Sequence, residues 1–105
     1  LKGKSDELIA EIVSKVSVNL NGASNAIALD ANQEEIFNVK IDDTIKNLRS
    51  TPSEIKYLIL NGPVTKSLVN AAVEEGVEYL VCRQKNKMEG HGKLVIKTFR
   101  EIGLP

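Results

Sequence analysis

Two apolar runs separated by a helical pattern lie in residues 57–82, YLILNGPVTKSLVNAAVEEGVEYLVC. The runs at 57–60 and 79–82 are continuous, which is typical of strands buried on both faces of a parallel sheet. Between them, residues 65–75 predict a helix with one apolar face, and Gly76 is the kind of residue that ends a helix in the left-handed conformation. That face carries Leu68, Val69, Ala72 and Val73. A strand, a helix and a strand in this order predict a right-handed crossover unit with two parallel strands.

The residues before this unit predict a helix followed by a hairpin. Apolar side chains recur at helical spacing at Leu8, Ile9, Ile12, Val13 and Val16. This stripe predicts an amphipathic helix over residues 6–18. The short apolar segments at 26–29 and 35–40 are joined by a mostly polar stretch, and this spacing favours a β-hairpin.

Shorter elements complete the predicted sheet. Asp42 or Asp43 is placed to cap a short second helix, and Pro52 prevents that helix from continuing. Residues 94–96 predict a last strand, and residues 99–102 predict a stub of helix. The whole pattern predicts an α/β fold, in which an N-terminal helix, a β-hairpin and the crossover unit belong to a small mixed sheet.

Composition indicates one ordinary globular domain over residues 1–105, with 42% hydrophobic and 27% charged residues. Fourteen basic and fourteen acidic side chains cancel, so the molecule as a whole has no field that would recruit nucleic acid or an anionic membrane. No apolar run approaches the roughly 20 residues that span a bilayer, so we expect no membrane partner and a cytoplasmic location. Because the chain begins at Leu1 rather than Met, we also expect it to be a piece of a longer protein.

No set of side chains in the sequence is arranged for catalysis or metal binding. Cys82 is the one cysteine and His91 the one histidine, which excludes an internal disulfide and a Cys/His zinc site. We interpret Cys82 as a buried thiol, with a reactive thiol beside Arg83 and His91 as the alternative. Asp42 and Asp43 are adjacent, so their side chains point apart rather than toward one metal ion. We therefore predict no catalytic, cofactor-binding or metal-binding residue.

The turn at residues 61–65, NGPVT, lies where a strand leads into a helix, a place where α/β sheets often bind ligands. It lacks the spaced glycines of a dinucleotide-binding loop and the Lys-Ser/Thr pair of a phosphate-binding loop. We favour a structural turn over a ligand cradle.

A basic loop is the candidate contact site for RNA or a protein partner. It carries Arg83, Lys85, Lys87, His91 and Lys93. Only Glu89 opposes these charges, so the loop could hold phosphates. The loop has no aromatic side chain on which a base could stack, so any RNA contact would be to the backbone and sensitive to salt. A solvated hairpin loop is the reading we favour.

Five stretches together carry a family resemblance: LNG at 20–22, ALD at 28–30, EIFNV at 35–39, LNGPVTKSLV at 60–69 and GVEYLV at 76–81. In this order they resemble the C-terminal domain of the archaeal DnaG-type primases. The resemblance implies that magnesium chemistry belongs to an absent catalytic domain of the Toprim type, which uses a glutamate and an Asp-x-Asp pair. This chain has no Asp-x-Asp pair.

The resemblance also implies partners. Members of the family join the RNA-degrading exosome, where the C-terminal domain docks on the cap protein that carries a zinc ribbon. The full-length protein would synthesise primers and would favour adenine-rich RNA. Our first hypothesis is therefore a docking module, the second is an RNA-binding module that uses the basic loop 83–93, and a small stand-alone enzyme is the third.

Overall fold

The structure, a computed structural model, describes residues 4–20, 25–50, 55–84 and 93–102, with the side chains of the first helix described from residue 7 to residue 15. The elements follow the predicted order. They are α1 (Lys4–Leu20), β1 (Asn25–Leu29), β2 (Glu35–Lys40), a 3-10 turn (Ile41–Asp43), α2 (Thr44–Ser50), β3 (Tyr57–Leu60), α3 (Lys66–Glu74), β4 (Tyr79–Cys82) and β5 (Val95–Thr98). The predicted α/β fold is confirmed.

All five strands form one mixed sheet in the order β2-β1-β3-β4-β5. β1 and β2 form the predicted hairpin, and β1 is also antiparallel to β3 on its other side. β3 and β4 are parallel and are joined through α3, which confirms the predicted crossover unit. The continuous apolar run of β3 is explained by its place at the centre of the sheet, because α-helices cover both of its faces.

β5 lies parallel to β4, with Tyr79 opposite Val95 and Cys82 opposite Thr98. The interpretation of residues 83–92 as a hairpin loop is therefore wrong, because a hairpin joins antiparallel strands. Residues 83–94 instead carry the chain from the carboxyl end of β4 back to the amino end of β5. A connection of this length is close to the dozen or so residues that parallel strands require.

The sheet separates two apolar cores. On one face α2 and α3 cover the strand residues Ala26, Ala28, Leu58, Leu60, Leu80, Cys82 and Ile96. On the other face α1 covers Ile27, Leu29, Tyr57, Ile59 and Val81, together with Phe99 and Ile102 from beyond β5. Successive side chains of a strand point to opposite faces, so each central strand contributes alternately to the two cores. Cys82 is fully buried in the first core, as predicted.

The first helix is longer than the predicted 6–18, and its apolar stripe is narrower. Ile9, Ile12 and Val13 are buried against the sheet, as the spacing predicts. Leu8, at the edge of the stripe, is 41% exposed. The side chain of Val16 lies outside the described residues.

The second helix, α2, begins at Thr44, directly after Asp43, as predicted, and a 3-10 turn leads directly into it. Asp42 and Asp43 lie in that 3-10 turn, directly before the first residue of α2. The continuous helical segment starts at Ile41, so its capping position falls before both aspartates. The capping position belongs to Lys40, whose side chain makes no capping hydrogen bond. Pro52 lies outside the described residues.

The chain after β5 forms a single helical turn where a stub of helix was predicted. The N–H of Ile102 donates to the carbonyl oxygen of Thr98 at 3.3 Å. Thr98 and Glu101 form a capping box: the Thr98 N–H donates to Glu101 Oε1 at 2.9 Å, and the Glu101 N–H donates to Thr98 Oγ1 at 3.1 Å. This turn places Phe99 and Ile102 over the sheet face that α1 covers.

Candidate docking surface

A groove of about 430 Å³ opens between the end of α3 and the start of β5. It is lined by Val73, Gly76, Val77, Glu78, Lys93 and Leu94. These residues come from the last turn of α3, the connection to β4 and the two residues before β5. The volume lies within the range of about 300–1,000 Å³ that is typical of ligand pockets.

The end of α3 shapes one wall of this groove. Gly76 has a φ of 79°, which confirms the predicted left-handed residue. The Gly76 N–H donates to the Val73 carbonyl at 3.2 Å, and the Val77 N–H donates to the Ala72 carbonyl at 3.0 Å. This pair of bonds is a Schellman motif. The motif turns Val77 into the core and leaves Val73 facing the groove.

Val73 is where the sequence pattern and the structure disagree. Its spacing from Val69 predicts burial on the same helix face, yet Val73 is 40% exposed. The helix ends after Glu74. No further turn of this helix follows that could cover the Val73 side chain. Among the described residues, the exposed large apolar side chains are Leu8, Val73 and Val95. Val73 lines the groove, and Val95 is the first residue of β5.

On the other face of the sheet, Tyr57, Tyr79 and Val95 form a row across three neighbouring strands. The two tyrosine rings stack with their centroids 5.4 Å apart and their planes at 14°. Exposure increases along the row, from 3% at Tyr57 to a half-buried Tyr79 and to 37% at Val95. Apolar surface is therefore exposed on both sides of the amino end of β5.

Three acidic side chains between the last turn of α3 and β4 form ion pairs with basic side chains. Arg49 Nη1 on α2 lies 2.9 Å from Glu74 Oε2 and 3.6 Å from Glu75 Oε2 at the end of α3. Lys56 Nζ lies 3.6 Å from Glu78 Oε2 and 5.6 Å from the centre of the Tyr57 ring.

Lys93, in contrast, is exposed and has no ion-pair partner in the described part of the chain. Lys93 therefore gives the groove an ammonium group that no described acidic side chain neutralises.

Arg83 follows β4 directly and lies at the other end of the sheet, where the parallel strands β3, β4 and β5 finish. Its Nε donates to Asn61 Oδ1, and its guanidinium lies over the Phe99 ring at 5.1 Å from the ring centre. The backbone also pairs across this edge, since the Arg83 N–H donates to the Gly62 carbonyl and the Val64 N–H donates to the Gln84 carbonyl, both at 3.0 Å. Arg83 thus connects the carboxyl ends of β3, β4 and β5.

The predicted basic loop therefore does not bring its two ends together. Arg83 follows the carboxyl end of β4, whereas Lys93 precedes the amino end of β5, and these strands are parallel. At about 3.3 Å per strand residue, their backbones lie roughly 15–20 Å apart. Lys85, Lys87 and His91 lie outside the described residues.

In the turn at 61–65, Thr65 and Gly62 already contact other parts of the chain, so they are not left open for a ligand. Thr65 caps α3, with its Oγ1 accepting a hydrogen bond from the Leu68 N–H at 3.2 Å. Gly62 packs closely against Ile41, because a Cβ atom at this position would lie 2.7 Å from Ile41 Cδ1. These contacts are what a structural turn requires.

Two kinds of site were not predicted from the sequence, a metal site and a membrane-spanning helix. Over residues 4–20, 25–50, 55–84 and 93–102, no three His, Cys, Asp or Glu side chains are close enough to hold a metal ion. In those same ranges, no helix has the length and apolar character needed to cross a bilayer.

Comparison with known proteins finds DNA primases. The chain is 30% identical to the DNA primase DnaG of Methanopyrus kandleri over 78 residues, which are 74% of this chain and 19% of that protein. It is 31% identical to the DnaG of Thermococcus gammatolerans over 101 residues, which are 95% of this chain and 22% of that protein. The chain is similar to a part of the archaeal DnaG primases. This confirms the resemblance carried by the stretches between residues 20 and 81.

A third relative, the DnaG of Methanocella arvoryzae, is 31% identical over 62 residues, which are 59% of this chain and 13% of that protein. The chain thus spans about a fifth or less of the length of these curated relatives. The relatives are DNA primases, which are nucleotidyltransferases. No protein-family model matches the chain. No solved structure matches it.

Proposed function

We propose that this chain is the non-catalytic C-terminal docking domain of an archaeal DnaG-type primase, and that it ties the primase to the RNA exosome through the zinc-ribbon cap protein. One observation carries the proposal: the similarity to the Thermococcus primase covers 95% of this chain but only 22% of that protein. The similarity therefore covers a limited part of that primase, which is what one domain of a larger protein would give.

The surface at the amino end of β5 supports a binding role. It combines a groove of about 430 Å³ with the exposed side chain of Val73 and the ammonium group of Lys93, and Val95 is exposed on the other face of the sheet. Protein interfaces are built around apolar anchors of this kind, surrounded by polar and charged side chains.

Catalysis, in this proposal, belongs to another part of the primase. The family resemblance implies a magnesium site made by a glutamate and an Asp-x-Asp pair, and the sequence has no such pair. Asp42 and Asp43 are adjacent and exposed in a 3-10 turn, so they do not fit that ligand set. Primer synthesis, magnesium binding and any preference for adenine-rich RNA are therefore assigned to the whole protein, acting in the cytoplasm.

Gel filtration of the chain mixed with the archaeal exosome cap protein tests the proposal. We expect the two to elute together, and we expect the chain to elute alone when the cap protein lacks its zinc ribbon. Separate elution from the intact cap protein would contradict docking. If the chain is instead retained by oligoadenylate in a salt-dependent manner, the alternative role as an RNA-binding module through residues 83–93 is favoured.

A further inference from the structure

We propose that the groove at the end of α3 is the docking site, and that it binds a protein segment in which an apolar side chain lies next to a carboxylate. This inference rests on the proposed docking function and adds to it the surface and the chemistry of the partner. Three properties of the groove lead to it: its apolar wall, its remaining charge and the small number of its charged side chains.

The apolar wall is formed by Val73, Val77 and Leu94. Val77 and Leu94 belong to the core under α3, whereas Val73 is 40% exposed although Val69 and Ala72 on the same helix are buried. A partner side chain placed here would cover Val73 and extend the existing core outward. Removing apolar area from water contributes about 25 cal/mol per Å², so a large aliphatic or aromatic side chain is the suitable occupant.

The remaining charge selects what lies beside that side chain. Glu78 is paired with Lys56, and Glu74 and Glu75 are paired with Arg49. Lys93 lines the groove and is without an ion-pair partner among the described residues. A carboxylate on the partner would complement this ammonium group, and complementary charges across an interface fix its register and speed association.

The number of charges also decides between classes of partner. Among the described residues that line the groove, Glu78 and Lys93 are charged, and Glu78 is paired with Lys56. A nucleic-acid backbone presents closely spaced negative charges, and the groove offers it the single ammonium group of Lys93. None of the described residues that line the groove has an aromatic ring on which a base could stack. A protein segment with a single carboxylate fits the groove better than RNA.

Binding of variants to the exosome cap protein, measured by isothermal titration calorimetry, tests the location. Val73→Glu and Lys93→Glu should each weaken binding by about tenfold or more. Two matched controls should stay within about twofold of the parent chain. Leu8→Glu changes an equally exposed apolar residue on α1, which packs on the other face of the sheet. Lys66→Glu reverses an exposed charge at the opposite end of α3.

A second probe does not depend on the cap protein. The blocked dipeptide acetyl-Leu-Asp-amide, titrated into the ¹⁵N-labelled chain, should shift the amide signals of Val73, Val77 and Leu94. Acetyl-Leu-Lys-amide should bind at least about threefold more weakly, because it places a cation next to Lys93.

The outcomes separate the two proposals. If the cap protein binds the parent chain but Val73→Glu and Lys93→Glu bind equally well, the groove is not the site and the docking function stands. If the cap protein does not bind at all, the docking function is wrong, and the dipeptide decides the groove. Dipeptide shifts that are absent, that lie elsewhere or that do not distinguish Asp from Lys overturn the inference, as would stronger shifts of the groove signals with oligoadenylate.

Discussion

Thr44 is a buried polar residue whose hydroxyl lowers the stability of the chain. It is fully buried at the start of α2, and its hydroxyl oxygen has no hydrogen-bond partner within the described structure. Burying an unsatisfied hydroxyl costs about 1–3 kcal/mol. We expect Thr44→Val, which keeps the shape and removes the hydroxyl, to raise the free energy of unfolding by about 1 kcal/mol in urea titrations.

Thr44→Ser is the matched control for this change. It keeps the buried hydroxyl and removes a methyl group, so the free energy of unfolding should fall by about 1 kcal/mol. A valine variant that is less stable than the parent chain would show that the hydroxyl has a partner in solution.

Gly76 has a backbone conformation that an ordinary side chain tolerates poorly. Its φ of 79° is left-handed, and no atom lies within 4 Å of the position that a Cβ would take. The cost of substitution is therefore conformational and not steric. We expect Gly76→Ala to lower the free energy of unfolding by about 1–2 kcal/mol, and Gly76→Asn to lower it less, because Asn adopts this conformation more readily. Equal losses in thermal unfolding would contradict this account of the turn.

At the scale of elements, Arg83 connects three strands at the carboxyl edge of the sheet. Its hydrogen bond to Asn61 and its contact with the Phe99 ring should together contribute about 1 kcal/mol. We expect Arg83→Ala and Arg83→Lys to lose similar amounts in urea titrations, since lysine keeps the charge but not the planar guanidinium. Full stability in Arg83→Lys would show that charge alone matters here.

The central elements could be predicted because their signals are local. A few neighbouring residues are enough to indicate each of these elements: the apolar runs indicate β3 and β4, the apolar stripe indicates α3, and Gly76 indicates where α3 ends. These signals also agree with one another. The direction of β5 could not be predicted in this way. Strand pairing depends on where a connection leads, and the polar residues of 83–94 are compatible with a hairpin as well as with a crossover.

The candidate site was harder to predict than the fold for a related reason. Lys93 was a candidate contact residue from its charge, but it was grouped with Arg83, from which the parallel arrangement of β4 and β5 separates it. Val73 was assigned to the core because helical spacing does not reveal which turn of a helix lacks a neighbour. Gly76 was the available signal, since a helix that ends there leaves the last apolar residue before it without a packing partner in the next turn.

For the whole molecule, the balanced charge of fourteen basic and fourteen acidic side chains bears on the choice between protein and RNA partners. A domain that held RNA through six or more phosphates would lose about 10³-fold or more in affinity between 50 and 200 mM salt. We expect this chain to show at most weak binding to fluorescein-labelled oligoadenylate at about 150 mM salt, as measured by fluorescence anisotropy. Tight binding under those conditions would favour the RNA-binding alternative.

Docking on a protein partner through the groove at the end of α3 is the central claim, and its most direct test is a calorimetric titration of the 105-residue chain into the exosome cap protein at low and high salt. We expect binding at both about 50 and about 200 mM salt, with dissociation constants that differ by less than about tenfold and with a negative heat-capacity change from apolar burial. The absence of binding heat at every temperature tried, or a loss of affinity of about 10³-fold over that salt range, would contradict the claim.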